Sequence, residues 1–132
     1  MPSFLYVEDD MLSREVMDVI LREVLGYTEV TIFEDSRDFT QRVEQLPHIP
    51  DVIFLDIHMQ PDDGFHLLAM LRENPYYENS RIIAVTASVM NTEINILQKA
   101  GFDGVIPKPI NQRTFGDVVT RILNGETIWS IK

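Results

Sequence analysis

The chain has 132 residues, 45% of them hydrophobic and 24% charged, which suits one domain with its own core. Its 21 acidic against 11 basic residues leave a net charge of −10, which argues against general nucleic-acid binding, since that affinity comes from basic side chains neutralising phosphates. Cysteine is absent, excluding disulfides and cysteine-based metal sites; no apolar run could span a bilayer and no basic leader precedes the first acids, so a cytoplasmic protein without membrane insertion is expected.

Phe4-Leu-Tyr-Val7 reads as a buried strand that ends in Glu8, Asp9 and Asp10. Leu12, Val16, Val19 or Ile20, and Val24 recur at helical spacing up to Gly26, with Asp10 or Ser13 available as the cap. Thr28 to Phe33 predicts a second strand, and Asp35-Ser36 opens a helix whose inner face is Phe39, Val43 and Leu46. Val52 to Leu55 is a third, fully apolar strand that stops at Asp56, and the Pro and Gly of Gln60-Pro-Asp-Asp-Gly64 mark an irregular loop. Phe65 to Glu73 predicts the third helix and Arg81 to Val85 the fourth strand, which leads into Thr86. Thr92 to Ala100 is a helix stopped by Gly101, and Gly104 to Pro107 a short strand leading into Lys108-Pro109. Phe115, Val118, Val119, Ile122 and Leu123 line a last helix, after which Ile128, Trp129 and Ile131 are expected to pack back on it.

Five strand-helix alternations predict an α/β fold, a parallel sheet with helices on both faces. In such a sheet the strand ends share one edge, which collects Glu8, Asp9, Asp56, Thr86 and Lys108. Three crowded carboxylates repel one another and call for a cation; oxygen donors of this kind suit Mg²⁺. The lysine and the hydroxyl would then serve an anion beside the metal, most naturally a phosphoryl group, with a carboxylate able to act as nucleophile toward phosphorus.

Tyr-Val-Glu8-Asp9-Asp, Phe-Leu-Asp56-Ile-His-Met, Val-Thr86-Ala and Pro-Lys108-Pro109, in this order, resemble the receiver domain of two-component response regulators, over about Phe4 to Leu123. The resemblance implies a (βα)5 flavodoxin-like doubly wound sheet of order 2-1-3-4-5, with residues 1–124 as the receiver and 125–132 as a short tail. It implies Asp56 as the phosphoacceptor, Asp9 and Asp56 as Mg²⁺ ligands with the His58 backbone carbonyl, and Glu8 acting on the metal through water. Lys108 would pair with the phosphoryl group ahead of a cis Pro109, and Thr86 would be the switch hydroxyl. His58 and Ser88 occupy positions that tune hydrolysis of the acyl phosphate.

The function so implied is that of a single-domain signalling switch rather than a metabolic enzyme, which assists its own phosphorylation and dephosphorylation. Its partners would be a sensor histidine kinase or histidine phosphotransfer domain and an unknown downstream protein, with no direct nucleic acid, and it would be a monomer or weak dimer. Three departures stand out: Gln60 where the family has proline, with Pro61 one later; Val105 where a switch aromatic is usual; and no output domain, so the phosphorylated face itself would carry the message. Two rival readings are a pseudo-receiver that signals by binding alone and a haloacid dehalogenase-like phosphatase. Against the phosphatase, His58 stands where a second aspartate would be needed.

Overall fold

The computed structural model describes residues 1–129. Strands β1 (Ser3–Val7), β2 (Glu29–Phe33), β3 (Val52–Asp56), β4 (Arg81–Thr86) and β5 (Gly104–Pro107) form one all-parallel sheet in the order β2-β1-β3-β4-β5. The inner strands β1 and β3 are buried at every residue, as continuous apolar runs covered on both faces must be, whereas the edge strand β2 is buried only at Val30 and Phe33. Helix α1 (Met11–Asp18) with its π-helical continuation Val19–Val24, and helix α5 (Gln112–Leu123), cover one face through Met17, Ile20, Leu21, Phe115, Val119 and Ile122. Helices α2 (Phe39–Glu44), α3 (Gly64–Arg72) and α4 (Asn91–Ala100) cover the other.

Strand register places the site. Val7 stands opposite Leu55, so Glu8 comes level with Asp56; Asp56 is opposite Val85, and Thr86 opposite Pro107, the neighbour of Lys108. The backbone continues the alignment, since Lys108 N–H donates to the Thr86 carbonyl at 2.9 Å. Lys108-Pro109 is cis, as expected, and Gln60-Pro61 is cis as well.

Two helices differ from the reading of their sequence. Of the face read for this helix, Ile20 is buried and Val16 packs on the core, whereas Leu12, Val19 and Val24 are exposed; Met17 and Leu21 complete the inner face instead. Apolar residues occupy two adjacent stripes of this helix, and past Asp18 it widens into a π-helical stretch, Val19–Val24, in which Leu25 N–H donates to the Ile20 carbonyl. The second helix begins at Phe39 rather than Asp35-Ser36, because those two side chains are engaged elsewhere. The Asp35 carboxylate accepts from Arg37 N–H and pairs with Arg42 at 3.0 Å, and the buried Ser36 hydroxyl accepts from Asp62 N–H at 2.9 Å. For α1, Asp10 is the cap, accepting from Ser13 N–H at 2.9 Å.

The tail does more than lie on α5. Ile128 packs with the α1/α5 core, but its backbone also joins the free edge of β5: Val105 N–H donates to the Ile128 carbonyl at 2.8 Å, and Ile128 N–H donates to Asp103 O at 3.1 Å. Trp129 packs on the opposite face of the sheet, and Ile131 lies outside the described residues. Gly104 permits this approach, since a Cβ there would meet the Ile128 carbonyl oxygen at 2.8 Å and its nitrogen at 3.0 Å. Gly104→Ala is therefore expected to detach the tail, costing about 1–2 kcal/mol and red-shifting the emission of Trp129. An unchanged melting temperature and spectrum would show that the tail is not held in this way.

Candidate functional site

Each acid of the site leaves the sheet where its strand ends. Glu8 follows β1 and is wholly buried, Asp56 is the last residue of β3 and 4% exposed, and Asp9 is exposed at the rim. Carboxylate oxygens from the three lie within 4.8 Å of one another. Lys108, carried past the end of β5, places its Nζ 2.6 Å from Glu8 Oε1 and 3.4 Å from Asp56 Oδ1. His58 N–H donates to Asp56 Oδ1 at 3.2 Å, turning the carboxylate with a backbone group, while the imidazole is exposed.

Thr86 is buried beside this group, and its hydroxyl accepts from Ser88 N–H at 3.2 Å. Behind it lies a half-open apolar cavity of about 190 Å³ lined by Ile57, Phe65, Ile96 and Leu97. The structure thus gathers Glu8, Asp9, Asp56 and Lys108 into one constellation with Thr86 at its side. His48 is exposed, and His66 is exposed with its ring on Asp63 at 2.9 Å.

Two further residues belong to the surroundings, and the sequence reading had missed both. The Tyr6 hydroxyl donates to Glu8 Oε1. A signal for it existed: Tyr6 and Glu8 are two residues apart, so along β1 they face the same way. Arg14 of α1 donates to the Glu8 carbonyl oxygen at 3.0 Å, and nothing in the sequence distinguished it from any exposed helix arginine.

The electrostatics follow from the crowding. Burial, then the hydrogen bond and the charge of Glu8, push Asp56 up to about 7, against the pull of Lys108 and of His58 N–H. Burial acts to raise Glu8 too, but its hydrogen bonds with Asp56, Lys108 and Tyr6 outweigh it and hold Glu8 below the usual carboxylate range. Lys108 is raised despite its burial, chiefly by the hydrogen bond to Glu8. Of the acid pair, Asp56 is thus the one whose ionisation is disfavoured, while Glu8 is held anionic beside Lys108.

An all-oxygen set of crowded carboxylates, with Lys108 the one ammonium found beside Glu8 and Asp56 among the described residues, is the chemistry a hard divalent cation completes once Asp56 is ionised. A cation bound by Asp56 must displace its proton. Mg²⁺ affinity is accordingly expected to rise with pH through 7 and to fall by nearly tenfold per unit below it. Titration calorimetry at pH 6 and pH 8 checks this, and equal affinities would remove Asp56 from the ligand set.

The profile of the response regulator receiver domain matches residues 4–120. Among curated proteins, stress response regulator protein 1 of Lodderomyces elongisporus is 26% identical over 110 residues, covering 83% of this chain and 30% of its own length. The signal transduction histidine-protein kinase BarA of Escherichia coli is 25% identical over 124 residues, covering 94% of this chain and 13% of its own. The chain thus spans less than a third of either relative.

Among solved structures, chemotaxis response regulator CheY4 of Vibrio cholerae superposes with TM-score 0.81 at 24% identity, covering 92% of this chain and 98% of its own. The signal receiver domain of a histidine kinase from Syntrophus aciditrophicus gives 0.80 at 26%, covering 95% and 92%. The sheet order, the acids and lysine at its carboxyl edge and the match over residues 4–120 agree, and the chain belongs to the family of response regulator receiver domains.

Proposed function

We propose that this protein is a Mg²⁺-dependent phosphoacceptor switch that takes a phosphoryl group onto Asp56 from the phosphohistidine of a sensor histidine kinase or histidine phosphotransfer domain. The observation that carries the proposal is Asp56 itself: a nearly buried carboxylate at a strand end, with an ammonium 3.4 Å away and two further acids beside it. The likeness to the receiver of a histidine kinase supports the choice of donor.

In the transfer an Asp56 carboxylate oxygen attacks phosphorus, the new O–P bond forms as the P–N bond breaks, and the imidazole leaves with the electron pair and takes a proton. Asp9 and Asp56, with the His58 carbonyl and Glu8 through water, would hold the ion. Bound Mg²⁺ supplies charge neutralisation to the phosphoryl oxygens. Lys108 moves from between the two acids onto a phosphoryl oxygen, and His58 N–H fixes the attacking carboxylate. The Thr86 hydroxyl, whose oxygen accepts from Ser88 N–H at rest, turns to donate its proton to a phosphoryl oxygen. The apolar cavity behind it gives the loop 87–90 room to follow, changing the surface offered to a downstream protein. Water then attacks phosphorus, releasing inorganic phosphate and restoring the carboxylate.

The test is intact-mass spectrometry after incubation with a small acyl-phosphate donor, with and without Mg²⁺, alongside Asp56→Asn. One phosphoryl adduct that needs both Mg²⁺ and Asp56 is expected. No adduct from that donor or from a phosphorylated histidine phosphotransfer domain would leave a module that signals by binding alone.

A further inference from the structure

The transfer just described gives no part to Tyr6. Its ring is wholly buried in β1 on the side covered by α1 and α5, edge-on to Phe54 with ring centres 6.3 Å apart. Packing there asks only for hydrocarbon, and a phenylalanine would fill the space; the hydroxyl instead reaches Glu8 Oε1. Burial, then the neighbouring Glu8, push the phenol far above its ordinary range, so it serves only as a donor.

The oxygen Tyr6 uses is the one that also holds Lys108, at 2.6 Å, while Glu8 Oε2 takes Asp10 N–H at 3.3 Å. Lys108 is thus a lopsided bridge, 2.6 Å from Glu8 and 3.4 Å from Asp56. Each donor on a carboxylate oxygen draws away charge that the other donor would use. Glu8 is wholly buried, so solvent does not take the place of a missing hydroxyl.

We infer that Tyr6 is a positioning residue for Lys108: by sharing Glu8 Oε1 it loosens that oxygen's hold on the ammonium and keeps it within reach of the phosphoryl group on Asp56. This rests on the phosphoacceptor reading above. Without the hydroxyl, Glu8 Oε1 holds Lys108 more strongly and the ammonium turns away from Asp56, and the transfer loses part of its charge stabilisation.

The experiment compares Tyr6→Phe in the wild type and in Lys108→Ala, measuring adduct formation from a small acyl-phosphate donor with Mg²⁺ by intact mass, together with a crystal structure of Tyr6→Phe. The substitution is expected to slow adduct formation about fivefold to tenfold in the wild type and less than about twofold in Lys108→Ala, because partners acting through one group are not additive. The crystal structure is expected to show Lys108 Nζ farther from Asp56 than 3.4 Å. Equal slowing in both backgrounds would make Tyr6 a packing or metal-site residue and overturn the inference, as would an unmoved Nζ or an unchanged rate. A wild type that forms no Asp56-dependent adduct would count against the phosphoacceptor reading alone, and the position of Nζ would still decide the role of Tyr6.

Discussion

Asp56→Asn is expected to abolish the phosphoryl adduct and, at the same time, to make the metal-free protein more stable. The first effect follows from loss of the nucleophile: an amide oxygen does not form the acyl phosphate, and adduct should fall below detection. The second follows from the position of Asp56. In the folded chain its carboxyl is pushed from an ordinary 3.8 up to about 7, so between those values the folded state binds a proton that the unfolded state has released. Stability from this group therefore falls as pH rises through that window, and the whole penalty is present above about pH 7.

A neutral amide of the same shape escapes that penalty. At pH 8 without divalent cation the gain should be about 2–4 kcal/mol, shrinking to a small fraction of that at pH 4, where the folded carboxyl is protonated and the unfolded one partly so. Saturating Mg²⁺ should narrow the difference by stabilising the wild type in preference to the variant. Thermal melts at pH 4 and pH 8, with and without Mg²⁺, check the pattern. A variant less stable than the wild type at pH 8 would mean that Asp56 is not the strained member of the acid group.

Gly64→Ala is expected to damage the fold and the site together. Gly64 opens α3, where Asp63 caps the helix by accepting from His66 N–H at 3.0 Å, and Gly64 N–H donates back to the Ile57 carbonyl at 3.2 Å. A Cβ at this position would stand 2.6 Å from the backbone oxygen of Asp56 and 3.1 Å from the Ile57 Cα. These are backbone atoms of the central strand and its exit, so neither neighbour can turn aside as a flexible side chain would. Alanine normally favours a helix over glycine by about 1 kcal/mol, so a loss of stability here would oppose the intrinsic preference.

The expected loss is about 3 kcal/mol, from a helix start or a strand end forced to shift. Any shift moves the acceptor carboxylate relative to Lys108, and adduct formation should drop by at least about tenfold, since misplacement of about 1 Å can cost far more. Denaturant unfolding and intact mass read the two effects. Unchanged stability with full phosphorylation would show that α3 and the exit of β3 move apart at no cost.

The apolar run from Val52 to Leu55 ending in Asp56, and the similar run of β1 ending in Glu8 and Asp9, were enough to expect a parallel sheet with acids at one edge. A fully covered strand needs apolar residues at every position and must become polar where its backbone leaves the core. Thr86 and Lys108 were legible for the same reason, each standing where an apolar run stops. The helices were less so. On α1 two neighbouring apolar stripes satisfy the same spacing, and only the sheet beneath chooses Met17, Ile20 and Leu21 over Leu12 and Val24. Asp35 and Ser36 have the chemistry of a helix cap, but the Ser36 hydroxyl is taken by Asp62, twenty-six residues along the chain.

The sequence by itself determined the alternation of strands and helices and the set of polar residues at the carboxyl edge of the sheet, because each depends on local spacing and on the residue type at a strand end; the order of the sheet came only from the family resemblance that those residues carry. Tertiary structure alone decided which partner each polar atom takes. Strand register brings Lys108 closer to Glu8 than to Asp56, burial joins Tyr6 to the same oxygen, and burial beside Glu8 pushes the Asp56 carboxyl up. The pairing of Ile128 with the β5 edge was likewise invisible in sequence, since a backbone hydrogen bond carries no residue signature beyond the glycine that makes room for it.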